Sequence, residues 1–259
     1  MDYFEKIDKN LYEDLKWNIP EQKMGTINVI GGNAGHFRTE VKVAEFLDRE
    51  FSLREVGLVL PDSLQGKLPE LTNIRFLPAT ESGSFADSEG LENIFAVADA
   101  NLLLGDLSRN AVTGKAVSSA CRSSEKMTLI TRDAVDLVAE NEPDRLLMNE
   151  NLVLFASVPQ LQKLLRAVYY PKMLLQSQSL VQVVEVLHKF TLSYPIRIIT
   201  LNNGQILVVE NGTVKAVSLG NSGYSPIMIW SGELAARIVA INLYNPNKFT
   251  EASVCAIFG

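Results

Sequence analysis

The sequence predicts a doubly wound α/β fold, a mostly parallel sheet with helices on both faces and an antiparallel hairpin at one edge. Three observations carry this. Short runs rich in Val, Ile and Leu alternate with segments of helical spacing over nearly the whole chain. Most of those runs are apolar on both faces, as parallel strands covered by helices must be. The pair Asn211-Gly212 stands between two β-branched runs, the signal of a two-residue hairpin turn.

Taken in order, residues 1–24 hold a short helical pattern around Leu11 and Leu15 and a break at Pro20. They read as an N-terminal arm packed on the domain or on a partner. Residues 25–259 read as one domain, because no repeat, low-complexity tract or linker divides them. Strands are predicted at Thr26–Ile30, Val56–Leu60, Ile74–Leu77, Asn101–Leu104, Met127–Thr131, Leu152–Phe155 and Ile196–Leu201. Between them, Glu40–Arg49, Glu89–Ala98, Thr113–Arg122, Ala134–Ala139, Pro159–Tyr169 and Ser179–Phe190 carry helical spacing. Ser82–Ser88 is loop-like. The hairpin comprises Ile206–Glu210 and Thr213–Ser218, and Asn202-Asn203-Gly204 reads as a tight turn between strands.

Composition narrows the function. The chain has 259 residues, 47% hydrophobic and 21% charged, ordinary for a globular protein with a large core. A net charge of −6 and the lack of any basic run argue against a nucleic-acid partner. No stretch approaches the ~20 apolar residues that span a bilayer, and the mixed-charge start (Met1-Asp2-Tyr3-Phe4-Glu5-Lys6) is unlike a signal peptide. Cys121 and Cys255 have no metal or redox spacing, so buried thiols in a reducing cytoplasm are expected. With only His36 and His188, no metal site is expected; His36 reads as a surface residue beside a glycine turn and His188 as structural.

The chemistry-bearing pattern lies near the end. Gly220-Asn221-Ser222-Gly223 is followed by Ser231-Gly232-Glu233, which opens an apolar helix. Backbone amides at a helix start can hold a phosphate, and an acid in the first turn can act as a base. Glu233 has a plainer reading as well, an acid favouring the positive end of the helix dipole. Gly31-Gly32-Asn33-Ala34-Gly35 follows a strand and reads equally as a phosphate-binding loop or a plain turn. Asp133 reads either as ligand-facing or as a helix N-cap.

Read in sequence, these blocks resemble the nucleotide-dependent NAD(P)H-hydrate dehydratase family of the ribokinase-like superfamily. Lys23–Asn33 resembles the family's opening strand and Gly-Gly turn, and Val59–Leu64 its next strand and turn. Pro69-Glu70-Leu71 resembles the segment after that. Ala100–Gly105 resembles the strand that ends in Gly-Pro-Gly-Leu-Gly, and Ile130–Ala134 the Asp-Ala-Asp-Ala block. Gly220–Ala236 covers the Gly-Asn-Pro-Gly and Gly-Thr-Gly-Asp segment. The resemblance implies a ribokinase-like fold and the dehydration of hydrated NADH or NADPH with Mg-ATP or Mg-ADP. It implies Glu233 at the position of the catalytic Asp. Gly220, Asn221, Gly223, Ser231, Gly232 and Asn202 fall at cofactor-binding positions, and Gly31, Gly32, Asn33 and Asp133 beside the substrate. A homodimer or homotetramer is implied too.

The departures from the family pattern fall in the loops. Glu233 carries one methylene more than Asp, a shift of about 1.5 Å in the carboxylate, and a 1 Å misplacement can cost on the order of 100-fold. Tyr224–Trp230 puts Pro226, Ile227, Met228 and Trp230 where small residues and glycines stand in the family. Gly105-Asp106-Leu107-Ser108 keeps only the first glycine of its turn, and Thr131 replaces the first Asp of its block. Asn202 replaces a Lys, and Phe155–Gln160 replaces Thr-Pro-His-Pro-Gly-Glu. Three functions follow: a dehydratase with impaired or lost catalysis, a non-catalytic nucleotide- or partner-binding protein of the same fold, or a small-molecule kinase.

Overall fold

The computed structural model describes residues 2–68 and 73–259; the Pro69-Glu70-Leu71 resemblance lies outside them. Its strands are β1 (Phe4–Ile7), β2 (Thr26–Gly31), β3 (Glu55–Pro61), β4 (Ile74–Leu77) and β5 (Ala100–Gly105). They continue with β6 (Met127–Thr131), β7 (Leu152–Phe155), β8 (Arg197–Asn202), β9 (Gln205–Glu210) and β10 (Thr213–Ser218). The helices are α1 (Arg38–Glu50), α2 (Ser88–Val97), α3 (Ala111–Ser123), α4 (Asp133–Ala139) and α5 (Pro143–Leu146). After them come α6 (Val158–Ala167), α7 (Leu180–Ser193), α8 (Pro226–Ile229), α9 (Glu233–Tyr244) and α10 (Phe249–Ile257).

All ten strands form one sheet, in the order β1-β10-β9-β8-β7-β6-β5-β2-β3-β4. From β4 to β8 every pairing is parallel. The chain turns back through β9 and β10, which pair antiparallel. Two tight turns make this possible. Asn203-Gly204 and Asn211-Gly212 each hold positive φ at both positions (47° and 72°, 47° and 77°), the mirror-image turn that matches strand twist. The expected hairpin is therefore present, but it does not end the sheet. β1, from the N-terminal arm, adds outside β10 in parallel.

Two apolar layers hold the sheet. On one face α2, α3, α4, α6 and α7 pack through Phe95, Val117, Val138, Leu164 and Phe190. On the other, α1, α9 and α10 pack through Val43, Leu47, Val239 and Val254. Both faces of β2 and β5 are fully buried, which explains their near-continuous apolar sequence. The exceptions are Asn28 and Asn101. Their side-chain amides donate to Ile94 O (2.9 Å) and Phe95 O (3.0 Å), fastening the end of α2 to the sheet.

The arm is tied down along its length. Tyr3 stacks on His188 at 3.6 Å between ring centres, which gives that histidine its structural place. Buried Lys215 donates to Tyr12 Oη (2.7 Å) and Glu251 Oε1 (2.9 Å). No described helix is long and apolar enough to cross a membrane.

Candidate functional site

The carboxyl ends of the parallel strands carry the loops that the sequence singles out, the usual ligand-binding edge of an open α/β sheet. At the end of β2, Gly32 (φ 85°) donates its N–H to Gly105 O at the end of β5 (2.8 Å). Asn33 donates its amide to Asp106 O (2.6 Å) and accepts from the N–H of Gly35 (2.9 Å), so its polar atoms are used within the turn. Asp133, opening α4 beyond β6, accepts the N–H groups of Asp106 (2.7 Å) and Leu107 (3.0 Å). It therefore fixes the β5 turn across the sheet rather than capping its own helix. Asp106 and Arg132 both sit at positive φ (53° and 57°) and bond to each other, Arg132 Nη2 to Asp106 Oδ1 at 2.8 Å.

Behind this wall lies Glu40, which sequence reasoning missed as a site residue. It occupies the third position of α1, on the side that carries Val43 and Leu47 into the core. An acid in line with buried apolar residues at helical spacing was the available signal. Glu40 is 0% exposed, and neither carboxyl oxygen has a hydrogen-bond partner among the described residues. A Cβ on Gly31 would lie 2.7 Å from Glu40 Oε1 and 2.6 Å from Gly105 O, so only glycine fits there. Burial, then the Asp106 carboxylate, pushes the Glu40 carboxyl up to about 8.

The start of α9 abuts the same helix. Gly232 (φ 98°) is its N-cap, and a Cβ there would meet Val43 Cγ2 at 2.9 Å and Leu104 Cδ2 at 3.0 Å. The preceding segment is wound into α8, and its amides are spent inside the chain. Met228 N–H goes to Ser225 Oγ, Ile229 to Ser225 O, Trp230 to Ile227 O and Ser231 to Met228 O. Glu233 N–H goes to Ser231 Oγ at 3.4 Å. Helix geometry leaves Leu234 and Ala235 without intrahelical acceptors for their N–H groups, but both residues are wholly buried. Glu233 itself is exposed.

Asn221 donates its amide to Asp8 O in the arm (3.0 Å), while Gly220 and Gly223 are exposed. Asn202 is buried at the end of β8, and its Oδ1 has no hydrogen-bond partner among the described residues. His36 is exposed in the glycine turn.

Next to the junction, an open cleft of about 700 Å³ is lined by Arg132, Asp133, Ser157, Gln160, Lys163 and Trp230, with Asp136 and Pro159. Trp230 closes one side, its ring 5.2 Å from that of Phe155. Ile227 and Met228 point to solvent at 85% and 45% exposure, and Ile229 is the residue that packs inward. Ser157 and Gln160 form a reciprocal capping box on α6. Gln160 also donates to Arg132 O (2.7 Å), and Lys163 to Glu140 Oε1 (2.5 Å) and Asp136 Oδ1 (3.3 Å). The Glu140 contact holds the Lys163 ammonium above the ordinary lysine range.

The fold has counterparts among solved structures. A hypothetical protein of Streptococcus mutans aligns over 97% of this chain and 87% of its own, with a TM-score of 0.69 and 13% identity. A ribokinase-like superfamily protein of Enterococcus faecalis aligns over 100% and 86%, with a TM-score of 0.68 and 14% identity. An ADP complex of Bacillus subtilis pyridoxal kinase aligns over 91% and 89%, with a TM-score of 0.51 and 10% identity. No protein-family model and no curated protein sequence matches the chain. The fold is ribokinase-like.

Proposed function

We propose that this chain is a nucleotide-binding protein of the ribokinase-like fold that has lost the phosphoryl-handling step from which its site descends. One observation carries the reading: the amides of 228–231 and 233 are bonded within α8 and to Ser231, and Gly232, Leu234 and Ala235 are buried residues. A developing phosphoryl charge needs such donors free and aimed at it. Glu233, the residue matching the family's base, is exposed.

The cleft bounded by Arg132, Lys163 and Trp230 supports retained binding of an adenine nucleotide. Trp230 offers a face for a base. The ADP held by pyridoxal kinase, a neighbour of the same fold, makes a nucleotide the first ligand to test. NAD(P)H hydrate is the substrate that the sequence resemblance suggests, and this chain is read as binding without turning it over.

The test is an assay for loss of hydrated NADPH in the presence of Mg-ATP or Mg-ADP, with a parallel search for nucleotide-dependent phosphoryl transfer. The expected result is background consumption in both. Turnover that disappears in Glu233→Ala would overturn the reading and restore the dehydratase or kinase.

A further inference from the structure

A second groove, of about 370 Å³, runs along α3 and shares no lining residue with the cleft beside Trp230. Lys115, Ser118, Ser119 and Arg122 line its α3 wall at spacings of three and four, one stripe of the helix. Glu140, Asn141 and Glu142, between α4 and α5, form the other wall, and Arg122 Nη1 spans to Glu142 Oε2 at 2.9 Å. That wall is fixed in place. Asn141 Nδ2 donates to Leu137 O (2.8 Å) and seats against Gly114, where a Cβ would lie 2.4 Å from it. Glu142 holds φ at 53°, uncommon for a residue with a side chain.

The groove keeps one buried polar atom unpaired. Of its serine hydroxyls, those of Ser88 and Ser119 donate to Glu92 Oε1. Ser118 is 6% exposed and lines the groove, yet its Oγ has no hydrogen-bond partner among the described residues. Such a hydroxyl on the wall of an open groove is accounted for by a ligand that pairs it. The exposed Lys115 ammonium belongs to no ion pair among the described residues. On the other wall Arg122 and Arg145 hold Glu142 Oε2, and Lys163 holds Glu140 Oε1, which leaves Glu142 Oε1 and Glu140 Oε2 as acceptors.

We propose that this groove binds a free α-amino acid as its zwitterion. Two cations stand on the α3 wall and two carboxylates on the other, so the groove has a direction of charge and no net charge. A lone anion meets the carboxylates unfavourably, and a lone cation meets Lys115 and Arg122. A zwitterion with its carboxylate towards α3 meets opposite charge at both ends. Ser118 Oγ and Lys115 Nζ donate to the ligand carboxylate, and Glu140 and Glu142 accept from its ammonium. Every side chain lining the groove is polar or charged, which suits an amino acid with a small polar side chain. Nothing in this site depends on nucleotide binding. Failure of ADP to bind removes the function proposed above and leaves this site standing.

The probes are L-serine, ethanolamine and 3-hydroxypropionate, titrated into the intact protein and followed by NMR. Wild type binds L-serine saturably. Ethanolamine lacks the carboxylate and 3-hydroxypropionate the ammonium, so each binds at least about tenfold more weakly, having lost hydrogen bonds between charged groups. Ser118→Ala and Lys115→Met each weaken L-serine binding by about tenfold, for the same reason. Alanine favours a helix more than serine does, so the Ser118→Ala protein folds and its loss of affinity reports the hydroxyl. Absence of saturable L-serine binding by wild type, equal binding of either fragment, or undiminished binding by Ser118→Ala overturns the proposal.

Discussion

The Glu40 carboxylate oxygen Oε1 occupies the space that a Cβ on Gly31 would enter, 2.7 Å from it, at the end of β2. A glycine on the strand and an acid on the following helix thus define one another. The glycine leaves room for the carboxyl, and the carboxyl forbids any larger residue on the strand. This contact anchors the junction of β2, β5, α1 and α9.

Gly31→Ala and Gly223→Ala separate space from backbone strain. At Gly31 the new methyl meets a backbone oxygen, Gly105 O, at 2.6 Å, and that oxygen is fixed in the sheet. A loss of roughly 1–3 kcal/mol is expected, as for other overpacked sites. At Gly223 nothing lies within 4 Å, but φ is 73°, so the cost is the left-handed strain of about 1–2 kcal/mol. Chemical denaturation measures both. Only Gly31→Ala should also disturb the Glu40 environment, read from its titration.

The pH dependence of stability follows from Glu40. Its carboxyl titrates near 4.5 unfolded and about 8 folded. Both states hold the proton below 4.5, and above 8 both have released it. Between these limits only the folded chain holds it, so stability falls as pH rises, by up to about 1.4 kcal/mol per pH unit from this group. Glu40→Gln removes that slope. Denaturation curves of wild type and Glu40→Gln from pH 5 to 8 should diverge steadily, and parallel curves would contradict the assignment.

Glu233→Asp should not create an enzyme. The shorter acid matches the family's residue, but the amides around it remain consumed by α8 or buried. Hydrated NADPH consumption is expected to stay at background. Glu233→Ala should cost only roughly 0.3–1 kcal/mol, the worth of an exposed acid at a helix start.

Lys215→Met tests the arm. The change leaves Tyr12 and Glu251 without their common partner, and a loss of roughly 1–3 kcal/mol is expected for the stranded groups. Limited proteolysis should then cut first within residues 2–24, the segment that the lost Tyr12 contact helps to hold.

Much of this architecture was legible because parallel strands buried on both faces leave unbroken apolar runs, as at Leu58–Leu60 and Leu102–Leu104. Both antiparallel turns announced themselves through Asn-Gly. β1 was not legible. Phe4-Glu5-Lys6-Ile7 has too little apolar pattern to mark a strand, and its pairing to β10 spans most of the chain. At the site, motif order located Gly31–Asn33, Asp133 and Gly232 at one end of the sheet. It could not show that Asn221 is engaged by Asp8 O, since that contact belongs to the arm. Glu40 escaped because its importance lies in the partners that it lacks, which spacing alone does not reveal.

The most direct test of the central claim is the thermal unfolding midpoint with and without Mg-ADP. A ligand at 100 times its dissociation constant adds about 2.7 kcal/mol, and for a chain of this length that raises the midpoint by roughly 5–10 °C. The account predicts such a rise, reduced in Trp230→Ala. An unchanged midpoint at millimolar Mg-ADP would contradict it.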